Sequence, residues 1–246
     1  FDALVNYISC LDWPEDLQKF NDFWPGMQVA GKDNLRHQTS MWQAMLMAAK
    51  LPNSHQVIIN GFFTGDGGIK MSKSIGNVVT PNQVISEYGT DALRLFVSKE
   101  VSIFDDSPFT LDRFAASYNA NLVNGLGNLV SRTLTMAQSY DVDISDLAFP
   151  TFAEIAHPAY ERFDYAEVTE SLWAEVTDLD KYISDTEPFK TFKVDPDKAR
   201  ADVHHVITGL ARVSVLLQPI MPSTAEKIKE LIKKREKPNE PLFGRK

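Results

Sequence analysis

Lys70 and Lys73 stand three residues apart in the stretch GGIKMSKSIGN, residues 67 to 77, of a 246-residue chain whose formal net charge is −8. Two ammonium groups set among Gly65, Gly67, Gly68, Ser72, Ser74 and Gly76 can close on a compact polyanion. Glycines let the backbone approach and hinge, and hydroxyls and free amides add donors. A nucleotide triphosphate has the matching charge density. As negative charge moves onto a departing pyrophosphate, a lysine placed to meet it stabilises the transition state more than the ground state, by up to several kcal/mol in a closed site. The stretch therefore predicts catalysis by placed charge, without a nucleophile or a base. Two lysines at this spacing are commonplace in solvated loops, so the weight lies on the whole string. A second constellation is Asn128 and Arg132, four apart on one helix face, whose amide and guanidinium suit the edges of splayed RNA bases. A solvated polar pair is the plain alternative.

The elements that must position these groups are legible from periodicity. Two short apolar runs, MQVAG and QVIING, flank an amphipathic stretch from about Asp33 to Lys50, which predicts a βαβ unit with parallel strands. The opening residues supply a strand end or a helix. Thr80-Pro81 and Thr90-Asp91 read as helix starts, giving helices over 81–88 and 90–100, and residues 101–110 read as a connector. Beyond them the period is helical. Leu111, Ala115, Tyr118, Leu122, Leu126, Leu129 and Thr133 form one stripe; Val168, Leu172, Val176, Leu179 and Ile183 a second; Val203, Val206, Leu210, Val213 and Leu217 a third, before a shorter helix near 223–237. The fold class expected is α/β followed by all-α.

With 43% hydrophobic and 24% charged residues the composition is that of a globular chain, and the acidic balance argues against nucleic-acid binding by bulk charge. Polyanion contact must be local. Residues 141–187 hold thirteen acids and two bases, whereas residues 226–246 hold eight bases and four acids, which read as a solvated face and a solvated or phosphate-attracting end. One cysteine, Cys10, excludes an internal disulfide and a multi-thiolate metal site and fits a reducing compartment; between Ile8 and Leu11 it reads as a small buried thiol. The histidines are His37, His55, His157, His204 and His205, none in an H-x-G-H string, and no metal-ligand cluster stands out. No run is long and apolar enough for a membrane span, so a cytoplasmic setting is expected.

Five stretches in order, FDALVNYIS, GKDNLRHQTSMWQAMLM, IINGFFTGDGGIKMSKSIGNVVTP, YGTDALRLF and YNANLVNGLGNLVSR, resemble the methionyl-tRNA synthetases, a family of class I aminoacyl-tRNA synthetases, over nearly the whole chain. The resemblance implies the second half of a Rossmann-like catalytic domain over residues 1–108 and an α-helical-bundle anticodon-binding domain over 109–246. It implies ATP with Mg2+, methionine and tRNA(Met) as ligands, with methionyl-adenylate formed first and its acyl group then passed to the tRNA. By resemblance, Lys70, Met71, Ser72, Lys73, Ser74 and Asp33 fall on the ATP site, with Lys70 and Lys73 catalytic. Ala3, Tyr7, Gln38 and Trp42 fall on the methionine pocket, which must recognise a thioether by shape and sulfur–aromatic contact. Asn128, Arg132 and Phe189 fall on the anticodon readers. Asp33 would also cap the helix that follows it.

The chain departs from the family at identifiable points. His37-Gln38 stands where many members read Phe-His, Leu4 where some have proline, and Phe189 where a tryptophan is usual. Phenylalanine still stacks a base, with less area and no N–H. The family's His-rich ATP signature and its zinc-bearing insertion are expected to precede residue 1, so no metal site is expected within this chain, and the missing amino-terminal half is itself an expected partner. The reading is then a catalytic portion inactive by itself; the alternatives are a non-catalytic tRNA-binding module derived from a class I synthetase, and a helical interaction protein.

Overall fold

The computed structural model describes residues 2–69, 71, 76 and 78–246. It forms two compact units, Phe1–Thr64 with Ser102–Ser107, and Gly65–Val101 with Pro108–Lys246.

In the first unit, α1 (Asp2–Ser9) and α2 (Leu17–Phe23) precede β1 (Met27–Gly31), and α3 (Trp42–Ala48) leads to β2 (Gln56–Asn60). The strands pair in parallel, from Met27 opposite Gln56 to Gly31 opposite Asn60, as the βαβ pattern predicts. The helix between them is not the single one expected over 33–50. A 3-10 turn spans Lys32–Asn34 and a π-helical turn spans His37–Met41 before α3 begins. Trp42 N–H donates to His37 O across the wider turn. Side chains compete for the same backbone: Thr39 Oγ1 donates to Leu35 O at 2.7 Å and Gln43 Nε2 to Gln38 O at 2.8 Å. Asp33 does not cap this helix; it lies exposed inside the 3-10 turn, and among the described residues its Oδ1 accepts from Asn34 Nδ2, at 3.3 Å. Leu4, Ile8, Phe20, Trp24, Trp42 and Leu46 make the core, with Trp24 stacked on Phe20 and edge-on to Trp42. Cys10 is exposed rather than buried, its thiol donating to Tyr7 O at 3.6 Å, because α1 turns Leu4 and Ile8 inward.

Beyond β2 the backbone is crowded. Gly61 N–H donates to Ile103 O at 2.8 Å, and a Cβ at Gly61 would stand 2.1 Å from Asp105 O, so only glycine fits.

The second unit holds α4 (Pro81–Tyr88) and α5 (Thr90–Glu100), then α6 (Leu111–Ser117), a π-helical segment Tyr118–Gly127 and α7 (Asn128–Ser139) in unbroken succession, then α8 (Phe152–Ile155), α9 (Tyr165–Thr186), α10 (Pro188–Thr191), α11 (Pro196–Leu216) and α12 (Pro222–Lys234). The stripes of α9 and α11 are buried along their whole length; in the first stripe Leu111 is exposed and Phe114 takes its place in the core. Thr80 Oγ1 caps α4 by accepting from Gln83 N–H at 3.3 Å. Asp91 does not cap its own helix: its Oδ2 accepts from Thr224 N–H at 2.7 Å, in the first turn of α12. Arg94 donates to the carbonyl oxygens of Pro219 and Ile220 just before that helix. Among the described residues no helix is long and apolar enough to cross a membrane.

Candidate functional site

In the first unit, the four residues matched to the methionine pocket come from two helical turns. Ala3 and Tyr7 are four apart on α1, and Gln38 and Trp42 are four apart on the helix that enters α3. Gln38 Nε2 donates to Tyr7 Oη at 2.8 Å, and the Tyr7 and Trp42 rings lie 5.9 Å apart at 49°. The structure therefore joins Tyr7, Gln38 and Trp42; Ala3 is exposed on α1 and its carbonyl accepts from Asn6 Nδ2 at 2.6 Å. Trp42 is 1% exposed, a member of the core as much as a wall. Among the described residues two buried polar atoms of this group, Gln38 Oε1 and Trp42 Nε1, have no hydrogen-bond partner.

A supporting relay was not legible in the sequence. Gln43 Nε2 holds the Gln38 carbonyl and also Ser54 Oγ at 3.0 Å, Ser54 N–H returns a bond to Gln43 Oε1, and Ser54 Oγ donates to Gln28 Oε1 at 2.6 Å. These amides look like ordinary polar positions until the fold buries them; Gln28 is 5% exposed. Beside Asp33, the Lys32 ammonium pairs with Asp106 and lies 4.7 Å from the centre of the Phe62 ring, while Phe62 N–H donates to Asp106 Oδ1 at 2.8 Å. Lys32 first, and the Phe62 amide second, hold the Asp106 carboxyl below its ordinary range.

In the second unit, Lys70, Ser72, Lys73 and Ser74 of the lysine loop lie outside the described residues. Of the loop's own string, Met71 is half-buried and packs on the apolar core of the bundle. The flanking backbone needs glycine: Gly67, Gly68 and Gly76 have φ of 66°, 77° and 73°, with nothing within 4 Å of where a Cβ would sit. Gly65 N–H closes the turn on Ile69 O at 2.7 Å.

The three residues matched to anticodon reading are distributed around the bundle. Asn128 is exposed at the start of α7, and Arg132, one turn later, donates through Nη1 to Asp180 Oδ1 on α9 at 3.0 Å. Phe189 is 46% exposed on α10, which follows a left-handed Glu187, and its ring lies 6.0 Å from the Lys190 ammonium. Among the described residues no hydrogen bond or ring contact joins Phe189 to Asn128 or Arg132. Nor do those residues contain a group of His, Cys, Asp and Glu able to hold a metal ion.

A parallel βαβ portion of Rossmann-like type, followed in sequence by a glycine-rich loop and then a helical bundle, is an α/β portion succeeded by an all-α domain. The family description "tRNA synthetases class I (M)" matches residues 1–134, and "Anticodon binding domain of methionyl tRNA ligase" matches residues 156–241. The chain belongs to the class I tRNA synthetases of this methionyl type. It is 34% identical to the methionine–tRNA ligase of Lactococcus lactis and 38% identical to that of Synechocystis, aligning over 94% and 93% of its own length and spanning 37% and 46% of theirs. A solved Mycobacterium tuberculosis methionyl-tRNA synthetase in complex with methionyl-adenylate superposes with a TM-score of 0.80 at 29% identity, over 94% of this chain and 49% of that one. The chain thus spans under half the length of these relatives.

Proposed function

We propose that this chain is a portion of a methionyl-tRNA synthetase, which activates methionine with ATP and passes it to tRNA(Met). The observation that carries this reading is the joined Tyr7–Gln38–Trp42 group in a chain whose residues 1–134 match the class I (M) family.

In this reading Tyr7 and Trp42 give the thioether an aromatic wall, and Gln38 holds the Tyr7 hydroxyl by donating to it from Nε2, while its Oε1, without a partner among the described residues, is left for the substrate. ATP arrives with Mg2+, which supplies charge neutralisation on the phosphates. Asp33, exposed beside the end of β1, faces the nucleotide, and Lys32 and Asp106 keep its turn in place. Lys70 and Lys73 meet the charge that builds on pyrophosphate as it leaves. Glycines 67, 68 and 76 give their loop the left-handed backbone it needs for close approach. Asp180 orients the Arg132 guanidinium through one nitrogen and leaves its other donors for a base edge, Asn128 reads a second edge, and Phe189 stacks a base.

Within this reading residues 1–108 are the catalytic portion and 109–246 the anticodon-binding domain, a division by sequence that differs from the two compact units, in which Gly65–Val101 belongs with Pro108–Lys246; the setting is the cytoplasm, and the chain by itself is inactive. A direct test is the affinity of the chain for an RNA hairpin with a CAU loop against one with a changed loop. A preference of about tenfold or more is expected from lost base contacts of about 1–3 kcal/mol each. Equal affinity overturns the recognition half of the proposal.

A further inference from the structure

A groove of about 530 Å³ runs between residues 123–131 and the chain segment 241–245, within the size range of small-ligand sites. Its polar lining is Asn124, Asn128, Ser131 and Arg245; the first three recur at steps of four and three, so one helix face presents them. Gly127 and Phe243 also line it, and a Cβ at Gly127 would stand 3.2 Å from the Phe243 ring and 2.7 Å from Leu122 O, so glycine is what lets that ring lie against the helix. The tail is pinned there: Tyr118 Oη donates to Gly244 O and Asn119 Nδ2 to Lys246 O, each at 3.0 Å, and the Phe243 and Tyr118 rings meet edge-on at 6.2 Å.

Arg245 differs in its surroundings from the other arginines of this unit. Five of them face a carboxylate, and Arg94 and Arg113 donate to backbone carbonyls. Among the described residues Arg245 has one hydrogen bond, at 3.4 Å, to the neutral Asn124 Oδ1, and no ion pair. A guanidinium kept beside amides and a hydroxyl, in a unit rich in carboxylates that it does not meet, is disposed toward an anion that comes from outside.

We propose that this groove holds one nucleotide of the bound RNA loop, with Arg245 on its phosphate, Phe243 against its base or ribose, and Asn124 and Ser131 joining Asn128 at its polar edges. Side-chain amides, a hydroxyl, an aromatic ring and an unpaired guanidinium are the set that single-stranded RNA recognition employs. Of the groove's lining, residues 123–131 lie within the segment matched to the class I (M) family and Pro241 within that matched to the anticodon domain, whereas Phe243, Gly244 and Arg245 lie outside both. The inference rests on the tRNA-binding reading above and adds a site to it.

The test uses the chain as it stands and two synthetic RNA hairpins, one with a CAU loop and one with a changed loop, titrated at several salt concentrations. Removing one phosphate contact lowers the log–log salt slope by about 0.7, which is about fivefold in affinity at 0.1 M salt. Arg245→Ala should lose that much toward both hairpins alike, Arg245→Lys should retain most of it, and Asn128→Ala should instead narrow the difference between the hairpins. An Arg245→Ala chain with unchanged affinity, or with weaker binding but an unchanged slope, overturns the groove; if wild type still prefers CAU, the wider reading survives. A wild-type chain with no preference overturns the wider reading and the groove's assignment with it.

Discussion

Asp91 sits in the second turn-forming position of α5, yet its carboxylate serves a helix that begins 131 residues later, where Met221 offers no side-chain cap. Truncating it in Asp91→Ala takes away the acceptor of Thr224 N–H, and Thr224 is 8% exposed, so little water can replace it. A lost cap costs about 1 kcal/mol. Leaving the buried N–H unpaired brings the total to about 2–3 kcal/mol. For a chain of this length, each kcal/mol lowers the melting temperature by about 2–4 °C, so a fall of about 8 °C is expected. Asp91→Asn keeps an oxygen in place and gives up only the charge at the helix N-terminus, about 0.5 kcal/mol, or some 2 °C. Calorimetry on the three chains decides it. Equal losses in both variants, or a loss under about 0.5 kcal/mol in Asp91→Ala, would refute the argument that Asp91 acts as a cap supplied from another helix.

Gly61→Ala should be poorly tolerated, losing about 3 kcal/mol or failing to fold by circular dichroism, since its Cβ would meet the Asp105 carbonyl at 2.1 Å; a wild-type melting curve would contradict the crowding. Asp106 titrates below its ordinary range in the fold, so its contribution is present above the unfolded carboxyl's pKa and lost as pH falls through the lower, folded one. Stability measured against pH should therefore drop on the acid side, and Asp106→Asn should flatten that limb; an identical acid limb in the variant would remove the Lys32–Asp106 pair from the account. In the complete enzyme, Gln38→Ala should raise the KM for methionine about tenfold with a smaller change in kcat, because the Tyr7 hydroxyl loses its partner. An unaltered KM there would leave Gln38 a packing residue. Phe189→Ala should weaken hairpin binding by about 1–3 kcal/mol without altering adenylate formation, and full retention of binding would take Phe189 out of base stacking.

The parts of this fold that could be read from sequence are those in which neighbours in the chain decide the outcome. The stripes of α9 and α11 repeat every three or four residues and are buried throughout, so periodicity alone placed them. Thr80-Pro81 is a local cap and behaves as one. What escaped reading depends on partners far away along the chain. Asp91 carries a helix-start signature but finds Thr224, and Arg132 shares a face with Asn128 but its carboxylate partner is 48 residues distant. The wide turn at His37–Met41 and the long one at Tyr118–Gly127 keep the apolar spacing of an α-helix closely enough that the sequence pattern does not separate them. In the second of these, Asn119 and Asn121 each turn an amide back to a carbonyl four residues earlier, a competition visible only once the backbone is in place. Of the proposed methionine pocket, resemblance supplied the residue names, and the fold supplied the Gln38–Tyr7 bond and the Gln43–Ser54–Gln28 relay behind it.

Pyrophosphate exchange tests most directly the proposal that methionine is activated with the help of Lys73. In the complete enzyme, exchange of labelled pyrophosphate into ATP should require methionine, should not be supported by leucine or valine, and should slow by about a hundredfold in Lys73→Ala while methionine binding is kept. Exchange that proceeds without methionine, or that Lys73→Ala leaves at the wild-type rate, would contradict it.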